Sequence, residues 1–274
     1  MASRHCFYLM VVGYLACVST IRASDSTNGP LTERQFVELM QSPLRYEGDA
    51  ERDADRRPSK ILRFSEVADA DTILDLYAGG GWYTELFSMA VGAKGSVIAH
   101  NDSLTWRFGH KELVRRTMND RLKNVSRLDE VDITEIQLDA GSVDVAFMGI
   151  NYHDFFFTHR VRKGEVEVMR QAPVDHDKAL KRIKALLKDD GRLIITDHFA
   201  KPGSGYQAAN DLHRIDPDIV KHHLADAGFE LLEEAFYLHN PDDDLSLLVF
   251  DPNIRGKTSR FIYKFGKVSS EVSR

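Results

Sequence analysis

Short apolar runs alternate with amphipathic segments along most of the chain. Thr32-Glu33-Arg34-Gln35 forms a capping box, and Phe36, Leu39 and Met40 follow at helical spacing. The charge run from Asp49 to Arg57 predicts a solvated helix face or loop, and Pro58 to Val67 a short helix with Ile61, Leu62 and Phe64 inward. Thr72 to Tyr77 is a compact apolar strand that stops at Gly79-Gly80-Gly81, and Trp82 to Val91 resumes with helical period. Ser96 to Ala99, Asn124 to Leu128, Val143 to Ile150 and Arg192 to Thr196 read as further strands. Thr105 to Leu122 and Val174 to Lys188 read as helices, the second stopped at Gly191. Asp216-Pro217 supplies a cap and a first-turn proline to a helix ending at Gly228. Phe229 to Leu238 and Arg260 to Lys267 close the chain as strands.

This order predicts an α/β fold: a doubly wound, mostly parallel sheet with helices on both faces and an antiparallel C-terminal strand. The 274 residues are 43% hydrophobic and 28% charged, an ordinary globular balance. A net charge of −6 gives no electrostatic reason to expect a nucleic-acid partner. Cys6 and Cys17 are the only cysteines, which excludes a disulfide scaffold and a cysteine zinc site.

Residues 1–23 read as a leader. Arg4 and His5 make a basic start, Cys6 to Ile21 is apolar or small, and Ala23 offers a cleavage position. Cleavage there predicts a secreted or periplasmic protein with no stable membrane insertion; an uncleaved anchor is the alternative. The expected organisation is a signal peptide at 1–23, an N-terminal linker and helix at 24–48, one main α/β domain at 49–267, and a C-terminal tail at 268–274.

The glycine loop carries the first chemistry. Three glycines between a strand and a helix let backbone approach a ligand, and the free N–H groups of the helix start face the same crevice. A dinucleotide fingerprint needs a third glycine where Thr84 stands. The run Asp75-Leu76-Tyr77-Ala78-Gly79-Gly80-Gly81 instead resembles the first motif of class I S-adenosylmethionine-dependent methyltransferases, with Tyr77 at the usual first glycine. Gly79 to Glu85, Asn151-Tyr152-His153-Asp154, Asp197-His198, His213 to Asp216 and Phe250-Asp251-Pro252 look like a group of bacterial predicted methyltransferases, many of them exported.

That resemblance implies a Rossmann-like domain and S-adenosylmethionine as cofactor. It carries cofactor contacts onto Asp75, Tyr77, Ala78, Gly79, Gly80 and Gly81. It puts a ribose contact on Asn101 or its neighbour Asp102, and an adenine contact on Asp132 or, failing that, Asp129. Asn151 falls beside the cofactor after the fourth strand.

Ligands of open α/β sheets bind beyond the carboxyl ends of the strands. Asn151 to Asp154 and Asp197-His198 follow two such ends, so His153 or His198 is a candidate base, with Asp154 or Asp197 orienting it. His213-Arg214 and the loop from Asn240 to Lys257 are placed to close over that rim. No His-Glu-x-x-His occurs, and His222-His223 point apart on a helix, so no metal is expected. Gly203-Ser204-Gly205 lacks the spacing of a serine nucleophile elbow. The reading is methyl transfer to an unidentified acceptor, taken to be a small molecule. Its alternatives are a binding protein of the same fold without turnover, or a nicotinamide-dependent oxidoreductase, which the glycine register disfavours.

Overall fold

The computed structural model describes residues 29–268; the expected leader and its cleavage position lie outside the described residues. The chain begins with α1 (Glu33–Met40), whose Thr32–Gln35 capping box forms as expected, then α2 (Asp53–Arg56) and α3 (Pro58–Phe64). Next come β1 (Thr72–Leu76), α4 (Trp82–Val91), β2 (Ser96–Asn101), α5 (Ser103–Thr117), β3 (Val125–Asp129) and β4 (Val143–Gly149). A hairpin of β5 (His159–Arg162) and β6 (Glu165–Val168) interrupts the alternation. The chain ends with α6 (His176–Leu186), β7 (Leu187–His198), α7 (Gln207–Leu212), α8 (Pro217–Asp226), β8 (Phe229–Ala235) and β9 (Arg260–Lys267). Among the described residues no helix is long and apolar enough to cross a membrane.

Seven strands form one sheet in the order β3-β2-β1-β4-β7-β9-β8. All pair in parallel except β9, which is antiparallel to both β7 and β8. Strand alternation sends side chains to opposite faces. Leu74, Leu76, Ala146, Met148 and Leu193 pack with α6 and α8 on one face. Ile73, Val97, Val145, Phe147 and Ile194 pack with α1, α3 and α4 on the other. The strand order changes direction beside β1 and β4, which is where such sheets open a ligand crevice.

Three local expectations are corrected. The helix before the fifth parallel strand ends at Leu186 rather than Lys188, and Gly191 is not its stop but lies inside β7. A Cβ at Gly191 would come within 3.0 Å of backbone atoms of Lys188 and Val143, so this glycine permits close approach within the sheet. The Asp49–Arg57 run is not a solvated face throughout. Asp49 is buried and bonds Arg116, and Arg56 lies 4.7 Å over the Trp82 ring. The β5–β6 hairpin was not foreseen: its strands are exposed and charged, and only Lys163-Gly164, both at positive φ, marks the turn.

Candidate functional site

Two groups of residues meet at the carboxyl ends of the strands. The first is the glycine loop. Gly79 and Gly81 adopt φ of +56° and +79°, the left-handed region that favours glycine. Tyr77 adopts φ of +52°, so the backbone keeps the glycine conformation although the side chain is large. Its buried ring stacks on His100 at 5.5 Å and meets Phe155 edge-on at 5.8 Å.

Neighbouring groups already hold this loop. The Asn101 Oδ1 accepts from Gly79 N at 2.8 Å, and its Nδ2 donates to Gly79 O at 3.2 Å. Asn101 therefore supports the loop through both ends of its amide, a role that the count along β2 does not reveal. Asp75 accepts from Thr84 Oγ1 at 2.5 Å, tying β1 to the first turn of α4 and away from the crevice; burial lifts its carboxyl to about 7. The Ala78 N–H donates to His100 O at 2.9 Å. From α5, Arg116 Nε donates to Gly80 O at 2.8 Å while its other nitrogens bond Asp49 and Glu85.

Asp102 sits beside the loop and does two things. One oxygen caps α5 by accepting from Thr105 N at 2.8 Å, and the other pairs with Arg170 at 2.5 Å. Arg170 lies 6.0 Å from the Tyr77 ring centre, so its guanidinium spans the ends of β1 and β2. The two adenine candidates differ. Asp132 is exposed, with Oδ1 engaged by Thr134; Asp129 ends β3 with a buried Oδ1 that has no partner.

The second group is a polar corner. Asp197 is fully buried at the end of β7 and accepts from the backbone N–H of His153 and of His198, both at 2.7 Å. Its two oxygens also lie 2.9 and 3.1 Å from His153 Nδ1. On the far side of the ring, His153 Nε2 stands 3.1 Å from His213 Nδ1 and 3.5 Å from Asp154 Oδ1. Asp154 Oδ2 accepts from Asn151 at 2.8 Å. His198 stands apart: its ring centre is 6.1 Å from that of His153, and its Nδ1 is 2.7 Å from Thr258 Oγ1.

The electrostatics separate these imidazoles. Burial disfavours a charged His153, but the Asp197 and Asp154 carboxylates outweigh it and lift the ring to about 9. His198, buried beside positive neighbours, is held well below the usual range, and His213 for the same reasons at about 3. His153 is therefore the imidazole that most favours positive charge at its Nε2, and the other two stay neutral.

Three of the four catalytic candidates, His153, Asp154 and Asp197, thus lie together by their side chains, whereas His198 joins only through its backbone N–H on Asp197. His213 was expected only as part of a covering segment, yet it completes the corner. Its location 60 residues from His153 leaves no linear spacing to find. The covering loop is anchored: Arg214 is fully buried and bonds Asp243 at 2.9 Å through two nitrogens. A cavity of about 520 Å³ opens nearby between the β5–β6 hairpin and α7, lined in part by Phe156, Thr158, Arg170, Tyr206 and Asn210. A larger one of about 820 Å³ lies at the amino ends of the strands, beside Gly92 and Asn124, and is lined by residues of neither group.

No protein-family model matches the sequence, and no curated protein is significantly similar to it. Solved structures are similar in fold. A SAM-dependent methyltransferase from Aquifex aeolicus is 19% identical, with a TM-score of 0.52, over 87% of this chain and 100% of that one. The geranyl diphosphate C-methyltransferase of Streptomyces coelicolor A3(2), solved with Mg²⁺, geranyl diphosphate and S-adenosyl-L-homocysteine, is 13% identical, with a TM-score of 0.54, over 88% and 90%. The [4+2]-cyclase SpnF is 14% identical, with a TM-score of 0.54, over 85% and 93%. The chain has the Rossmann-like fold of class I S-adenosylmethionine-dependent methyltransferases.

Proposed function

We propose that this protein transfers a methyl group from S-adenosylmethionine to a small acceptor. The observation that carries the reading is that two unlike groups stand at the carboxyl ends of neighbouring strands. A glycine loop in left-handed conformation follows β1, and the His153–Asp197 corner joins the ends of β4 and β7. S-adenosylmethionine supplies a methyl group on a positively charged sulfur.

The loop residues fit such a ligand in part. A Cβ at Gly79 would touch only Tyr77 O, at 4.0 Å, so that side of Gly79 is open, whereas Gly80 and Gly81 pack against Glu112 and Leu113 of α5. The unpartnered Asp129 Oδ1 offers an acceptor for an amino group at the end of β3. Asp102 can meet ribose hydroxyls once Arg170 shifts from it. The corner's task is to place the acceptor heteroatom in line and hold it deprotonated, which is positioning as much as proton transfer. The nearby cavity under the β5–β6 hairpin is the candidate acceptor pocket.

A second reading keeps the ligand and drops the turnover. It is favoured by Asn101, whose amide closes on Gly79, and by the fold's presence in a cyclase. Calorimetry with S-adenosylmethionine, S-adenosylhomocysteine and NAD tests both readings first. Binding of the two adenosyl compounds and not NAD is expected. Labelled methyl transfer onto phenols, thiols, amines and carboxylates then separates enzyme from binding protein. NAD binding alone would overturn both.

A further inference from the structure

The polar corner brings together three side chains from two distant segments, and their ligating atoms all lie within 4.8 Å of one another. We propose that His153 Nε2, His213 Nδ1 and the Asp154 carboxylate bind one divalent transition-metal ion. The inference deepens the methyl-transfer reading and rests on it for purpose. Open coordination positions on the ion would receive an oxygen or sulfur acceptor in its anionic form.

Three observations support the site. The first is the direction of the ring. His153 Nδ1 faces both oxygens of Asp197, at 2.9 and 3.1 Å, which keeps one ring proton there and turns Nε2 into the corner, where an ion binds by displacing the Nε2 proton. A carboxylate behind a histidine is the arrangement that fixes tautomer and ring orientation in metal-binding imidazoles.

The second is spacing. Nε2 of His153 lies 3.1 Å from His213 Nδ1 and 3.5 Å from Asp154 Oδ1. Ligands bound at about 2.1 Å and separated by those distances subtend roughly 95–113° at the ion, between octahedral and tetrahedral geometry. Two imidazoles and one carboxylate suit zinc, manganese, iron or cobalt better than calcium or magnesium.

The third is charge and strain together. Asp197 is fully buried and the Asp154 side chain 13% exposed, so two carboxylates share one corner, and the ionisable group facing both is the His153 imidazole. A dication neutralises both. His213 reaches the corner from a left-handed backbone at φ +53°, with Phe157 and Phe250 packed 4.2 and 4.9 Å from its ring. That conformation is strained for a non-glycine residue, and such strain concentrates at ligand sites.

The test uses the full chain stripped with a chelator and then titrated with Zn²⁺ and, separately, Co²⁺, read by calorimetry and by cobalt visible absorption. One ion per chain is expected. Asp154→Asn and His213→Gly should each weaken binding at least tenfold, and Asp197→Asn by about tenfold. Glycine relieves the backbone strain at position 213, so His213→Gly keeps its fold, checked by thermal melting. The exposed His222→Ala should bind as the parent does. No saturable uptake of Zn²⁺ or Co²⁺ below about 1 mM overturns the proposal, as does equal affinity in His213→Gly. A parallel titration with S-adenosylmethionine separates the two readings. Cofactor binding without metal uptake overturns the ion alone. Metal uptake without cofactor binding supports the ion and overturns the methyl-transfer reading.

Discussion

Around the glycine loop, bonds join groups on adjacent elements: Thr84 to Asp75, Asn101 to Gly79, Arg116 to Gly80. At the histidine corner, the contacts that carry chemistry run from one side chain to another, between the ends of β4, β7 and α7: His153 with Asp197, and His153 with His213. Each half is also secured by one buried arginine. Arg116 clasps the loop through Gly80, Asp49 and Glu85, whereas Arg214 ties the covering loop to Asp243 behind His213. The difference teaches where each half is vulnerable. A backbone-built wall fails when something crowds it, and a side-chain corner fails when one distant partner moves.

The two arginines give the largest test. Removing one partner of a buried ion pair typically costs about 3–5 kcal/mol, because the other charge stays buried and unpaired. Arg116→Met and Arg214→Met should each lose stability on that scale in denaturant unfolding. Their effects on ligands should divide. Arg116→Met weakens S-adenosylmethionine binding and leaves metal uptake intact; Arg214→Met does the reverse. Equal loss of both ligands in both variants would erase the distinction between the halves.

Crowding comes next. A Cβ at Gly109 on α5 would overlap the backbone of Gly79. Gly109→Ala should therefore cost about 1–3 kcal/mol and weaken the cofactor strongly, since the helix must back away from the loop. Gly79→Ala meets open space and carries only backbone strain, on the order of 1 kcal/mol. Melting curves with and without S-adenosylmethionine rank the two, and a harsher effect at Gly79 would contradict the packing described.

Asp75 gives a pH signature on the loop side. Burial raises its carboxyl from 3.8 to about 7, so the native chain holds a proton there that the unfolded chain releases. The sign follows: stability falls as pH rises between about 4 and 7 and is level above, with a slope of at most about 1.4 kcal/mol per pH unit from this group. Asp75→Asn keeps an acceptor for Thr84 and should flatten that slope. Urea unfolding at the two ends of the window measures it; an unchanged slope in the variant means that Asp75 is ionised throughout.

The smallest effect separates the adenine candidates. Asp129→Asn should weaken S-adenosylmethionine by about 1 kcal/mol, the scale of one hydrogen bond, and Asp132→Ala by a few tenths. Calorimetry in which Asp132 dominates would return the contact to the position that counting along the chain favours.

By itself the sequence determined the strands of the main sheet, the helices between them to within a few residues, the glycine turn and the candidate rim. These follow from local period, caps and the rule that ligands gather at strand ends, all carried by contiguous residues. Trp82–Val91 and Arg260–Lys267 match their elements residue for residue. Tertiary structure decided what each polar group faces. Asn101 and Asp102 look interchangeable along the chain, yet one braces Gly79 and the other caps α5 and holds Arg170. Asp49 read as solvated until Arg116 arrived from α5, and His213 read as covering loop until its ring met His153. A side chain's partner depends on which segments the sheet order brings together, and that order is set by global packing of two apolar faces, which no local pattern encodes.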